Sequence, residues 1–432
     1  SRDDHFFALG GDSILALQIV SKARQQGLAL TPKDLFEQPT LRALAAAARL
    51  VTGNAASQEP LSGPVGLLPI QQRFIEQRGL SLCNQYIHFS VQDAFDPERL
   101  EVALQMLVAQ HDALRLRFSA TDPQQAECVA ESTRPLLQVV EARSESDISH
   151  AMAAAQGGLG PADGKVLQAL YIVGDAPQLL LTLHHLAVDG VSWRILLEDL
   201  FSAYQQLQQG GDASLPRKTH NLQDWRQVLN QHFVPEAEKE LPYWQQATQT
   251  LAPLFPVHQD SAPARFECQI DAKTLRRWVK SADHYASLNL EEFLLIALAG
   301  TLADYCGRDT VRIHRESHGR ADSHAGLDLS RTVGWFTSLY PQRLDCQGDL
   351  AASIKWQKEQ LRQPAHGGLG YGLLCQQGKL ADADHHLDVL FNYLGQFRHD
   401  SLPGVSVREM GLWQAPDAPA DAPLTINADQ QE

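Results

Sequence analysis

Residues 179–204 read LLLTLHHLAVDGVSWRILLEDLFSAY. A leucine-rich run, Leu179 to Leu183, ends in two adjacent histidines, His184 and His185, and Asp189 and Gly190 follow. Trp193, Leu196, Leu197, Leu200, Phe201 and Tyr204 then recur at helical spacing. The stretch predicts a buried strand, a polar loop and an amphipathic helix. Strand ends on a rigid scaffold are where functional groups tend to sit. Imidazole titrates nearest neutrality, which suits proton transfer. Two histidines and an aspartate are also a common metal-ligand set. Neighbouring strand residues point to opposite faces, however, so His184 and His185 cannot easily share one ion. One ring should pack and the other face a cleft. A plain pair of buried, hydrogen-bonded histidines is the alternative.

The surrounding composition bounds the class. A chain of 432 residues has room for several domains. Its net charge of −15 argues against nucleic acid as a partner, because phosphate binding needs a basic surface. No apolar run approaches the roughly 20 residues that span a bilayer. No basic segment followed by an apolar stretch marks a signal peptide. Cys83, Cys128, Cys268, Cys306, Cys346 and Cys375 are scattered without a CxxC pair and read as reduced structural thiols of a cytoplasmic protein.

Along the chain, residues 1–50 predict short helices. Ile14, Leu15, Leu17, Ile19, Val20 and Ala23 supply one apolar side, and Thr31-Pro32 and Pro39-Thr40 are helix starts. Residues 51–66 are a linker of small residues and prolines. Strand-like and helix-like segments alternate thereafter in an α/β pattern large enough for two lobes, set at residues 67–240 and 241–432. Tyr86 to Val91, Leu167 to Val173, Leu179 to Leu183 and Val389 to Tyr393 read as strands. Pro97 to Gln110 and Glu291 to Tyr305 read as helices.

Three further stretches carry candidate chemistry. In Gly10-Gly11-Asp12-Ser13-Ile14, Ser13 opens a helix after a glycine turn. It is either a plain N-cap or a serine esterified to a phosphodiester, since a helix N-terminus favours an anion. In RIHRESHGR, residues 312–320, Val311 and Ile313 alternate with Arg312 and His314 as a half-buried strand would, and Glu316 falls on the non-core face. By itself Glu316 is an ordinary surface carboxylate. In Phe391-Asn392-Tyr393-Leu394-Gly395-Gln396-Phe397 a buried strand runs into a turn, and Asn392 and Tyr393 offer N–H and O–H donors.

Together these motifs resemble a nonribosomal peptide synthetase peptidyl carrier (thiolation) domain followed by an epimerization domain of the condensation superfamily. HHxxxDG is the superfamily's motif. SWRIL at Ser192, VGWFTSLYP at Val333 and FNYLGQF at Phe391 resemble the epimerization branch. Glu316-Ser317-His318-Gly319-Arg320-Ala321 resembles that branch's EGHGRE, with Ser317 and Ala321 as departures. The resemblance implies a small all-α four-helix carrier bundle lacking its first helix, then an α/β, two-lobed, chloramphenicol-acetyltransferase-like domain. Gly404 to Glu432 matches poorly and reads as stopping before the family's last strands.

The resemblance also implies roles. Ser13 would carry phosphopantetheine. His185 and Glu316 would be the acid/base pair, while His184 packs. Asp189, with Gly190, would order the loop by pairing with an arginine. Tyr393 and Asn392 would hold the substrate carbonyl. No metal is implied. The reaction would be epimerization at the Cα of an aminoacyl or peptidyl thioester, whose Cα–H is acidified because the carbanion delocalises into an enolate. Proton removal on one face and return on the other would give a D/L mixture. Implied partners are an upstream adenylation domain and a downstream condensation domain. A peptide-bond-forming condensation domain is the alternative function, and a catalytically dead docking module a third.

Overall fold

The computed structural model describes residues 2–6, 11, 13–50, 56–130, 134–142, 144–249, 251–255, 264–286, 288–320, 327–346, 348–381, 387–396, 404–414 and 422–430. Gly10 and Asp12 of the carrier motif, Ala321 and Phe397 lie outside the described residues.

The carrier segment contains helices Ser13–Gln25, Pro32–Glu37 and Leu41–Ala47. Their boundaries follow the threonines. Thr31 accepts from the Asp34 N–H at 3.2 Å while Asp34 reaches back to the Thr31 N–H at 2.7 Å, a reciprocal cap. Thr40 accepts from the Ala43 N–H at 3.3 Å. Ala16, Val20, Leu30, Leu35 and Leu44 form the segment's own small core. Leu17 turns elsewhere: it is buried in the large core of the following domain. On the same helix Arg24 Nε meets Asp328 Oδ2 at 3.0 Å. Among the described residues, Leu17 and the Arg24–Asp328 pair help dock the carrier helix.

Among the described residues the large domain has a small sheet of Gly63–Val65, Ala126–Cys128 and Leu116–Phe118 and two larger sheets that carry the motifs. In the first of the larger sheets, strands run in the order Val405–Gln414, Cys83–Val91, Gln178–His184, Leu167–Val173, Leu137–Glu141. The histidine strand, Gln178–His184, is central and buried at every residue, as expected for a strand covered on both faces. The second sheet has the order Ser338–Asp345, Thr310–Ser317, Val389–Gln396, Leu424–Gln430. Its core joins Leu295 and Ala299 of helix Leu290–Cys306 to Val311, Ile313, Leu344, Val389 and Phe391. Among the described residues no helix is long and apolar enough to cross a membrane.

In the stretch after Gly404, Val405–Gln414 and Leu424–Gln430 are strands, one in each of the larger sheets. The first sheet thus takes a strand from beyond residue 240. Val405–Gln414 crosses back and pairs antiparallel with Cys83–Val91, from Val405 opposite Val91 to Gln414 opposite Cys83. That pairing covers what would otherwise be an open edge of the first sheet. Trp335, Phe336 and Tyr371 likewise pack into the first lobe's core. Lastly, strand Thr310–Ser317 is not half-buried: Arg312 and His314 are buried as well as Val311 and Ile313, and Glu316 near its end is half-buried.

The Arg24–Asp328 pair leaves a quarter of the arginine side chain exposed, so its contribution should be about 0.5–1 kcal/mol. Asp328→Arg should loosen docking of the carrier helix, and adding Arg24→Asp should restore it. A dye pair spanning carrier and domain would read this as a distance change that the double variant reverses.

Candidate functional site

The histidine strand ends in a single tight turn, His185–Ala187, before helix Gly190–Gln208 begins. Alternation parts the two rings as predicted. His184 is fully buried, edge-on to Phe74. Its Nε2–H donates to the Ser81 carbonyl at 3.1 Å and its Nδ1 accepts from the Leu186 N–H at 3.2 Å. Burial pushes its pKa down to about 4, so it is a neutral packing group. His185 points to the other side and is half-buried. Its ring stacks on Trp335 with centroids 4.0 Å apart. Nδ1 lies 3.0 Å from the Val188 carbonyl oxygen and Nε2 lies 3.1 Å from Gln85 Nε2. The two rings make separate hydrogen bonds. Among the described residues no group of three or more metal-ligating side chains is gathered.

Asp189 caps the following helix and is buried. Oδ1 accepts from the Ser192 N–H and Ser192 hydroxyl, both at 2.8 Å, and from Arg320 Nη2 at 3.1 Å. Oδ2 accepts from Arg320 Nη1 at 2.7 Å and the Phe336 N–H at 3.0 Å. Arg320 also donates to the Thr332 carbonyl at 3.1 Å and sits over the Phe336 ring. Five hydrogen bonds thus engage this carboxylate and fasten the loop to Arg320 and Phe336. The partner arginine is Arg320, eight residues beyond Arg312. Gly319 makes that approach possible: its φ is +63°, and a Cβ there would fall 1.6 Å from the Phe336 carbonyl oxygen. Gly190, at the start of the helix, is exposed.

Glu316 pairs with Leu339 across the antiparallel ladder, and Ser317 with Ser338. On its other side the glutamate strand runs parallel to Val389–Gln396, with Arg315 opposite Phe391. Asn392 follows Phe391 and so takes the alternate face of its strand, as Glu316 does after Arg315. Tyr393 takes the opposite face, partly buried against the second core, where the ladder to Leu424–Gln430 shifts register. Ser317 packs against Gly367, where a Cβ would lie 2.4 Å from the Ser317 hydroxyl, and His366, Gly367 and Gly368 are all left-handed.

Three connections bring these motifs to one junction. The Asp189–Arg320 pair ties the loop after His185 to the loop after Glu316. Trp335 on His185 leads directly into the strand that pairs with Glu316. Arg194 Nη2 donates to the Leu394 carbonyl at 3.2 Å, tying the helix after His185 to the residue after Tyr393. A cleft of about 700 Å³, open to solvent, lies beside it, with Phe336, Leu339, Arg73 and Tyr371 in its wall. Leu339 is the cross-strand neighbour of Glu316. His185 and Glu316 are not themselves among the wall residues. Sequence reasoning missed Gln85, Arg194 and the stacking role of Trp335. Trp335 and Arg194 carried a signal, as parts of VGWFTSLYP and SWRIL, and Gln85 carried none.

The pair and the buried rings have consequences for stability. Arg320→Ala would strand a buried carboxylate and should cost about 3–5 kcal/mol, read by denaturant unfolding. His318 is also held down at about 4, by desolvation and then by the Arg320 charge. The unfolded chain protonates histidine near about pH 6.5, whereas the fold resists protonation of His184 and His318 until about 4. Their contribution is complete above the unfolded value and is lost as pH falls through this window. Unfolding curves between pH 7 and 4 should show that loss, and His318→Asn should lessen it.

Comparison with known proteins fits this geometry. Residues 62–430 match the condensation domain, and residues 1–48 match the phosphopantetheine attachment site. The chain is 36% identical to surfactin synthase subunit 1 of Bacillus subtilis (strain 168), over 94% of its own length and 12% of that protein's. It is 37% identical to a linear gramicidin synthase subunit of Brevibacillus parabrevis, over 93% of its own length and 6% of that protein's. The chain thus spans a small part of these relatives. Among solved structures it is similar to the epimerization domain from the third module of tyrocidine synthetase B, with TM-score 0.74, 28% identity, and 88% of this chain and 91% of that one covered. The condensation domain of Monacolin K polyketide synthase shares the fold at TM-score 0.67 and 16% identity, with 88% and 90% covered. The match over residues 62–430 makes the chain a member of the condensation-domain family, preceded at residues 1–48 by a phosphopantetheine attachment segment.

Proposed function

We propose that the domain epimerizes the Cα of an aminoacyl or peptidyl thioester carried by its own attachment segment. The observation that carries this reading is the junction where the histidine loop, the Glu316 strand and the Asn392–Tyr393 strand are tied together. The 28% likeness to an epimerization domain supports it.

Ser13 is the proposed attachment point. It is the first residue of its helix, and a hydroxyl there suits a phosphodiester beside free backbone N–H groups. The preceding Gly11 is pressed to the Phe6 ring, with space for no Cβ. When bound, phosphopantetheine supplies a thiol that presents the substrate as a thioester, whose carbonyl acidifies the adjacent Cα–H.

The chain's own residues do the rest. His185 takes or returns the proton on one face of Cα, and Glu316 serves the other face. Each acts as base in one direction and acid in the other. Asn392 shares the face of Glu316 and is the first candidate to hold the carbonyl oxygen as negative charge develops there. Tyr393, at the irregular end of the strand, is the second. Losing one such donor typically costs about 100- to 1,000-fold in rate. Asn392→Ala and Tyr393→Phe measured side by side should show which one bears that cost. An upstream adenylation domain would load the carrier, and a downstream condensation domain would consume the product, in the cytoplasm.

The test uses the L-thioester loaded on Ser13 in deuterated water, with no acceptor present. The parent chain should wash deuterium into Cα and yield both epimers by chiral chromatography with mass analysis. A peptide-bond-forming condensation domain would do neither. At least one of Glu316→Gln and His185→Ala should keep residual exchange without inversion, because the remaining group can remove and return a proton on its own face. Full inversion at the parent rate would remove that residue from the mechanism. A Ser13→Ala chain should gain no mass from coenzyme A and a phosphopantetheinyl transferase.

A further inference from the structure

Gln85 lies on strand Cys83–Val91 opposite Leu183. Its side chain therefore leaves the sheet on the same face as His185, two residues beyond Leu183. Trp193, one turn into the helix after the histidine loop, donates its indole N–H to Gln85 Oε1 at 2.8 Å. An indole nitrogen only donates, so this bond decides which end of the amide is oxygen. The amide nitrogen is thereby turned to His185, 3.1 Å from Nε2. On the far side of the ring, Nδ1 faces the Val188 carbonyl at 3.0 Å. A carbonyl only accepts, so Nδ1 carries the hydrogen and Nε2 is bare. Indole to amide to imidazole to carbonyl is one chain with one consistent set of proton positions.

That chain penalises a proton on Nε2. Two N–H groups would then oppose each other across the 3.1 Å gap. The amide cannot turn over to offer its oxygen without giving up Trp193. A hydrogen bond made only to the neutral form favours that form. Among the described residues, the titratable and charged groups on the surrounding elements include His184 at the end of the histidine strand, Cys83 and Tyr86 beside Gln85, Asp189 and Arg194 at and on the following helix, and Glu316, His318 and Arg320. His184 is neutral, and Asp189 and Arg320 are closed on each other.

We propose that Gln85 is a positioning residue that holds His185 as a neutral base with a bare Nε2 and yields its place there to the substrate's Cα–H. The identity of that substrate rests on the epimerization reading above; the hydrogen-bond chain does not. The cycle then has a defined start. The Cα–H bond breaks, its electron pair stays on the substrate and the proton goes to Nε2. A proton held on the Glu316 carboxyl goes to the opposite face of Cα. His185 ends protonated and Glu316 ionised, and exchange with water resets both.

The test is ring ¹⁵N NMR of the histidine-labelled full chain, with His185 assigned by the signal lost in His185→Gln. In the parent at neutral pH, Nδ1 should carry the hydrogen and Nε2 should be bare. Gln85→Glu offers an acceptor to both neighbours, and Trp193→Phe frees the amide to turn its oxygen to the ring. Each should raise the pH of half-protonation of His185 by about one unit, which is about tenfold in proton affinity. Gln85→Leu should move it the same way by less. Unfolding curves identify which variants are folded. Titration at the parent position in the folded variants, or a hydrogen on Nε2 in the parent, overturns the proposal. Deuterium wash-in is scored separately: variants that titrate as expected in a chain that never exchanges Cα–H overturn the epimerization reading and uphold this one.

Discussion

The contact on which the site depends is the buried pair of Asp189 and Arg320. It is expensive in isolation, because both charges are withdrawn from water. The fold offsets that cost by completing the pair: Ser192 and Phe336 supply the remaining donors to the carboxylate, and Thr332 takes a further guanidinium hydrogen. The result is a fixed corner between elements from both halves of the chain. It holds the histidine turn against the loop that follows Glu316.

Much of this was legible in the sequence, and the reasons are local. Leu179 to Leu183 could only be a buried strand, and period-two alternation separated His184 from His185 before any coordinates. Thr31 and Thr40 announced their helices because capping is decided within four residues. What stayed hidden is pairing over distance. Alternation assigns Gln85 a face but not a partner, so its bonds to Trp193 and His185 left no trace in the pattern. Helical spacing grouped Leu17 with Val20, yet only the docked arrangement shows that they serve different cores. Strand Thr310–Ser317 looked half-buried because Arg312 and His314 are polar, and the fold buries them all the same.

The departure at Ser317 illustrates how such a site absorbs variation. A hydroxymethyl group next to Glu316 needs space, and the left-handed run at His366, Gly367 and Gly368 provides it. The Ser338 hydroxyl holds the Gly367 carbonyl at 2.7 Å, so that loop is fastened to the partner strand. A bulkier residue at 367 would press on Ser317 and, through it, on the end of the glutamate strand.

The strand Val405–Gln414 has a bearing on how the molecule is made. Cys83–Val91 leaves the ribosome more than 300 residues before the segment that will flank it. Until then one side of that strand offers unpaired amides and carbonyls beside a largely apolar sheet. Contacts so distant along the chain are slow to form, and exposed edges of this kind invite pairing with the wrong chain. The first half of this domain has to wait for the second, and its closing strand completes the native sheet.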